Sequence, residues 1–227
     1  MRTVIVGAGG HGRVVLDIFR QAHRTDPVGF LDANPELIGQ HVDGVQVIAN
    51  PTAIASLASQ GIDSAIVAIG DNATRNMYAQ TLRVHGLRLV NAIHPKANVA
   101  DTARIGQNVV IAAGALVCAH CRIGESAILN TGCIVDHESS IGRGAHICPG
   151  ARLAGRVTVD DFAFVGIGAT VIQCLTVGRA SVVGAGAVVL QDVPAFSTVV
   201  GVPARVIRES NGQLTPAAPH AVAVRIA

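Results

Sequence analysis

The stretch Ala127-Ile128-Leu129-Asn130-Thr131-Gly132-Cys133-Ile134-Val135-Asp136-His137-Glu138-Ser139-Ser140-Ile141 places an aliphatic residue at every sixth position: Leu129, Val135 and Ile141. Followed in both directions, the same step runs from Ile93 to Val189 and lands on Ile, Leu or Val at seventeen of seventeen positions, without an insertion. Two residues before the landing stands Ala, Ser or Cys in thirteen cases; one residue after it stands Gly, Asn or Asp in nine. An amphipathic helix repeats faster than this, and a chain of hairpins is never so regular. The period predicts a solenoid in which six residues form one short strand and three strands, eighteen residues, close a triangular coil. Residues two apart share a strand face, so the landing and the small residue before it point inward. The residue after the landing is expected at the corner, in a left-handed conformation that Gly, Asn and Asp tolerate. Stacked coils then bury one continuous aliphatic column, which supplies a core to a chain with no Trp, one Tyr and five Phe.

This register resembles the hexapeptide-repeat acyltransferases, whose repeats form a left-handed parallel β-helix. The hand comes from the resemblance, since the general rule for parallel crossovers gives a right-handed connection. The likeness implies a homotrimer that binds acetyl-CoA between neighbouring prisms.

The remaining composition excludes several function classes. The chain has 227 residues, enough for one large or two modest domains, and a formal net charge of +2. Its scattered basic residues and 3% aromatics offer neither a basic stripe nor a stacking platform for nucleic acid. No apolar run reaches the roughly 18–20 residues of a membrane span. The apolar run before Gly7 is too short for a signal-peptide core. Five cysteines, an odd number all lying between Cys118 and Cys174, fit a reduced, cytoplasmic protein.

The first ninety residues read differently. Thr3 to Val6 form an apolar strand that runs into Gly7-Ala8-Gly9-Gly10-His11-Gly12, with a helix expected over Arg13 to His23. A second strand, Val28 to Leu31, ends at Asp32, twenty residues after Gly12. Strand, glycine turn, helix, strand and acid make the fingerprint of a nucleotide-binding crossover, in which backbone N–H groups approach phosphates and the acid accepts ribose or base hydrogen bonds. The plainer alternative assigns the glycines to strand–helix packing alone. Further strands are expected over Val45 to Ile48, Asp63 to Ile69 and Leu87 to Ala92, with helices over Thr52 to Gln60 and Ala73 to His85. This is an α/β, Rossmann-like unit of residues 1–92, about half a dinucleotide fold, which suits a mononucleotide-sized ligand. Residues 93–209 form the β-helix with its closing segment, and residues 210–227, rich in Pro and Ala, read as a loosely held tail.

Gly-Ala-Gly-Gly-His-Gly at 7–12, Phe30-Leu31-Asp32 and Ala68-Ile69-Gly70-Asp71-Asn72, all ahead of a β-helix, resemble the sugar O-/N-acetyltransferases. These include sialic-acid O-acetyltransferases and N-acetyltransferases of nucleotide-linked 4-amino-4,6-dideoxy sugars. The resemblance, which runs to about residue 208, implies that Gly9, Gly10, His11, Asp32 and Gly70 bind a nucleotide-sugar. Where that family often has a second acid after the first, this chain has Ala33.

The segment matching the family's catalytic histidine is Asn130 to Glu138, which places the general base at His137, with Glu138 to fix its tautomer. An imidazole suits removal of a proton from an attacking amine or hydroxyl near neutral pH. His120, seventeen residues before His137, is expected nearly stacked with it. His146, nine residues on, falls on another side of the prism, so the two can share a site only between subunits. By resemblance His146, Ile167 and Ala185 contact acetyl-CoA, and Arg205, in the closing Gly201-Val202-Pro203-Ala204-Arg205, is a candidate phosphate contact. Cys118 and Cys121 form a lone C-x-x-C without the second pair a structural zinc needs, so no metal is expected. The sequence favours an acetyl-CoA-dependent N-acetyltransferase; sialic-acid-type O-acetylation and a non-catalytic nucleotide-binding trimer are the alternatives.

Overall fold

The computed structural model describes residues 1–23, 27–209 and 212. It opens with a six-stranded sheet in the order β3-β4-β2-β1-β5-β6. These strands are β1 (Thr3–Val6), β2 (Gly29–Leu31), β3 (His41–Val42), β4 (Val45–Ala49), β5 (Ser64–Val67) and β6 (Arg88–Leu89). Every pairing is parallel except the small β3–β4 hairpin. Both faces are covered, so β1 and β5 are buried at every residue; each is apolar after its first position, where the hydroxyls of Thr3 and Ser64 pair at 2.9 Å. Helix α1 (Gly10–Gln21) begins inside the glycine motif, three residues before the expected start. The span expected as one helix over Thr52 to Gln60 is an α-helical turn, α2 (Ile54–Leu57), flanked by 3₁₀ turns. Helix α3 (Asn72–Val84) is capped by Asp71, whose carboxylate accepts the Thr74 N–H at 2.8 Å.

The expected strand from Leu87 to Ala92 is two strands in two different sheets. Arg88–Leu89 closes the edge of the α/β sheet, whereas Ala92–Ile93 pairs with Val110–Ile111 and starts the solenoid. From there two-residue strands recur every six residues, and each pairs in parallel with the strand eighteen residues on: Val110 with Ile128, Leu116 with Ile134, Arg122 with Ser140. Three sheets thus form the three faces of a prism. The landings and the small residues before them make one core, including Val109, Ile111, Ala115, Val117, Cys121 and Ile123. Each buried landing stabilises the fold by about 1.5–3 kcal/mol relative to exposure.

The corner differs from the sequence expectation. The left-handed residue is three after the landing, and it recurs without a break from Asn108 to Gly186, through His120, Glu138 and Phe162. The glycines one after the landing have another cause. A Cβ on Gly124 would sit 2.7 Å from Arg143 N, and one on Gly142 would strike Asp161 N. At those positions a coil rests directly on the backbone of the next. The face carrying Val110 and Ile128 packs against α1 through Val15, Leu16 and Phe19, which docks the α/β unit on the prism.

Candidate active site

The glycine motif does two jobs, divided residue by residue. Gly7 has φ +106°, and a Cβ there would lie 2.7 Å from the Ala68 carbonyl; a Cβ on Gly12 would collide with the Gly7 carbonyl. Those two glycines serve strand–helix packing. Gly9 and Gly10 have no heavy atom within 4 Å of a Cβ position, and they border a cleft of about 410 Å³. His11, Asp32, Ala33, Gly70, Asp71, Thr74 and Tyr78 line the same cleft, so all five expected acceptor residues converge. Helix α1 starts at this cleft with no acidic residue in its first turn, and its N-terminal N–H groups favour an anion.

Asp32 is engaged by its own loop. Its Oδ2 accepts the Ala8 N–H at 2.7 Å and its Oδ1 accepts the Asn34 N–H at 2.8 Å. Each oxygen keeps a second lone pair for a ligand. The carboxylate therefore shapes the glycine turn and also faces the cleft.

Behind the cleft lies a residue that the sequence reading missed. Arg75 is fully buried, on the α3 stripe it shares with Ala79 and Leu82. A cation at i on a stripe whose i+4 and i+7 positions are apolar was the available signal. Burial, partly offset by Asp71, lowers its pKa to about 9. His11 and His146 gather around it. Burial and then the Arg75 charge push His11 down to about 4. Burial, Arg75 and His11, against a weaker opposite effect of the Gly70 carbonyl, push His146 down to about 3. Both rings are neutral, and His11 Nε2 and His146 Nδ1 are buried without a hydrogen-bond partner among the described residues. His146 Nε2 lies 3.3 Å from Asn130 Nδ2, and the ring meets Phe164 edge-on with centroids 5.2 Å apart.

His137 and Glu138 stand apart from this cluster, at another corner of the prism. His137 Nδ1 lies 3.2 Å from Glu138 Oε2, with the two side chains 50% and 55% exposed. With Nδ1–H donating to the carboxylate, Nε2 is left with its lone pair. Asp136 is a turn residue, its Oδ1 accepting the His137 N–H at 2.7 Å. Beneath His137 in the stack lies Ala119, and above it Gly155; His120 falls under Glu138, one position from the expected stacking. Ile167, 60% exposed, lies under Ala185 at a third position, the corner at the other end of the face that leads to His137. Arg205 is exposed on a closing hairpin formed by Ser197–Val200 and Arg205–Glu209. One chain therefore does not gather His137, His146 and Ile167 at one point.

Residues 2–82 match the family model of the PglD N-terminal domain. The structure superposes on PerB of Caulobacter crescentus, solved with CoA and GDP-perosamine, with TM-score 0.87 and 41% identity over 91% of this chain and 97% of that one. The chain belongs to the hexapeptide-repeat sugar acetyltransferases. The acetyltransferase domain of PglB from Neisseria gonorrhoeae, solved with acetyl coenzyme A, matches at TM-score 0.84 and 33% identity over 91% of this chain and 98% of that one. WeeI from Acinetobacter baumannii matches at TM-score 0.65 and 25% identity over 91% of this chain and all of that one. No curated protein matched the chain. The enzyme is thus an acetyl-CoA-dependent acetyltransferase, and its solenoid is the left-handed parallel β-helix of this family. Among the described residues no helix of the enzyme is long and apolar enough to cross a membrane.

Proposed function

We propose that this acetyltransferase moves the acetyl group of acetyl-CoA to the 4-amino group of a nucleotide-linked amino-deoxy sugar, with His137 as general base. One observation carries the substrate class. A cleft built from Gly9, Gly10, His11, Asp32 and Gly70 sits on a chain 41% identical to an enzyme solved with CoA and GDP-perosamine. A histidine-to-alanine variant of that GDP-perosamine N-acetyltransferase has also been solved in complex with CoA and GDP-perosamine.

The chemistry is direct transfer. The neutral sugar amine attacks the thioester carbonyl, the N–C bond forms, and the amine proton passes to His137 Nε2. The tetrahedral intermediate then expels the CoA thiolate as the C–S bond breaks, and the thiolate takes the proton back from the imidazolium. Glu138, hydrogen-bonded at Nδ1, presents Nε2 to the acceptor and stabilises the positive ring. Among the described residues no serine or cysteine is hydrogen-bonded to the His137 ring, which favours direct transfer over an acyl-enzyme.

Residues 1–92 bind the acceptor and residues 93–209 the donor. Ile167 and Ala185 lie at one corner of the prism and His137 at the next, so a donor held by the first corner meets the base of a neighbouring chain in a homotrimer. Arg205 and His146 complete the donor side, and the soluble reaction belongs in the cytoplasm. Acetyl-CoA turnover with matched amino- and hydroxyl-sugar nucleotides tests the proposal. Amide formation on the amino sugar supports it; ester formation alone moves the enzyme to O-acetylation, and no turnover with either leaves a binding protein.

A further inference from the structure

Arg75 uses every donor it has. Nε donates to the Ser126 carbonyl at 2.7 Å. One terminal nitrogen donates to the Ile69 and Gly70 carbonyls at 2.9 and 3.0 Å. The other donates to Asn72 Oδ1 at 2.7 Å and to the Gly144 carbonyl at 2.8 Å. Three of these acceptors belong to the turn that lines the nucleotide-sugar cleft, and two belong to β-helix corners, one of them two residues before His146.

No carboxylate is among the five acceptors. A buried cation satisfied only by carbonyls and an amide carries a desolvation cost that a well-packed apolar side chain would avoid. What the guanidinium adds is a rigid planar fork that fixes five oxygens relative to one another. Two further residues repeat the connection. Asn72 Nδ2 donates to the Phe162 carbonyl at 2.9 Å, and Asn108 Oδ1 accepts the Val67 N–H at 2.8 Å while its Nδ2 reaches Ser126 Oγ. The 69–72 turn is bolted to the prism from both sides.

Resting on the functional reading above, we propose that Arg75 is a positioning residue: it holds the acceptor cleft in register with the β-helix, so that a sugar anchored by its nucleotide arrives at the acetyl group in reactive alignment. A fixed anchor helps only if its distance to the reacting centre is also fixed, and a misplacement of about 1 Å can cost on the order of 10²-fold in rate. Lysine offers three donors from a single atom and cannot reproduce the fork.

The test compares the wild-type chain with Arg75→Lys and Asn72→Ala. It measures kcat/KM for a GDP-linked 4-amino-4,6-dideoxy sugar and for the methyl glycoside of the same sugar, with thermal melting alongside. A positioning role predicts that folded Arg75→Lys loses about tenfold or more of the preference for the nucleotide-linked acceptor, while the glycoside rate changes little. A parallel fall in both rates, or an unchanged ratio, makes Arg75 a structural residue only and overturns the proposal. If Arg75→Lys does not fold, Asn72→Ala is set against Asn72→Asp, which keeps an oxygen for Arg75 but loses the Nδ2 bond to Phe162; a ratio about threefold lower in the alanine variant than in the aspartate variant supports the proposal, and equal ratios overturn it. A wild type that acetylates neither acceptor, or that shows no preference, overturns the functional reading and this proposal together.

Discussion

The imidazole of His137 lies against the α-carbon of Gly155, one coil further on: a Cβ added to Gly155 would come within 2.5 Å of His137 Nε2. Gly155 needs no unusual backbone angle, so alanine fits its conformation, and the three atoms nearest its Cβ all belong to the ring. The ring is the movable partner. Gly155→Ala is expected to fold as wild type while losing at least tenfold in kcat, because Nε2 is turned away from the acceptor. A melting curve beside a turnover assay checks this, and wild-type turnover in the variant would show that the ring's position is not critical.

His137 carries a half-exposed side chain outside the aliphatic column, so its removal costs little stability. His137→Ala should lose about 10²–10⁴-fold in kcat, the usual contribution of a positioned base, with acetyl-CoA affinity retained. The proposed two-chain site gives a sharper outcome. His137 and His146 occupy different sides of one prism, so mixed trimers of His137→Ala and His146→Ala subunits contain some sites with both histidines intact. Remixing the two proteins is expected to give turnover above that of either variant alone. If subunit exchange is proven by mass spectrometry and no activity returns, each site belongs to one chain.

The solenoid was legible because a six-residue period survives every substitution that keeps an aliphatic at the landing. Ile93 and Val189, its two ends, agree with the strands observed there. The corner was misplaced because two different constraints both select glycine. Gly142 is small to admit the next coil, whereas Gly144, Gly150 and Gly168 are left-handed, and composition alone does not separate the two causes. At Glu138 and Phe162 the left-handed position carries a side chain with a contact of its own, which hides it from a search for glycine. Gly9, Gly10 and His11 were legible because they are contiguous in one glycine motif, and Asp32 and Gly70 because each follows the end of an apolar strand. Arg75 and Gly155 were not read, since Arg75 bonds Ser126, 51 residues on, and Gly155 meets His137, one eighteen-residue coil back.

Asp32 links the glycine turn to the cleft, which sets what its replacement does. Asp32→Asn keeps one acceptor oxygen and turns an amide N–H towards either the Ala8 or the Asn34 N–H, two donors facing each other. The turn at Gly9 and Gly10 then shifts. The expected result is a KM for the nucleotide-sugar raised by about tenfold, with the KM for acetyl-CoA within about twofold of wild type. Michaelis constants for both substrates settle it; the opposite pattern returns the α/β unit to a role in binding CoA.

His11 and His146 make stability depend on pH. In the folded chain burial and Arg75 hold them at about 4 and about 3, against 6.5 for an exposed histidine. Between those values the unfolded chain binds the protons and the folded chain does not. The sign follows: stability is full above pH 6.5 and falls as the pH drops below it, down to about 4 for His11 and about 3 for His146. Each histidine contributes a slope of about 1.4 kcal/mol per pH unit well inside its window. His146→Gln removes one titrating group and also the edge-on contact with Phe164, so its absolute stability is lower at every pH. The slope is the informative quantity. Urea unfolding between pH 6 and pH 4.5 should give a wild-type curve that falls more steeply than the His146→Gln curve by about that amount. Parallel curves would mean that His146 is protonated in the folded enzyme, and that the pocket around Arg75 admits a second positive charge.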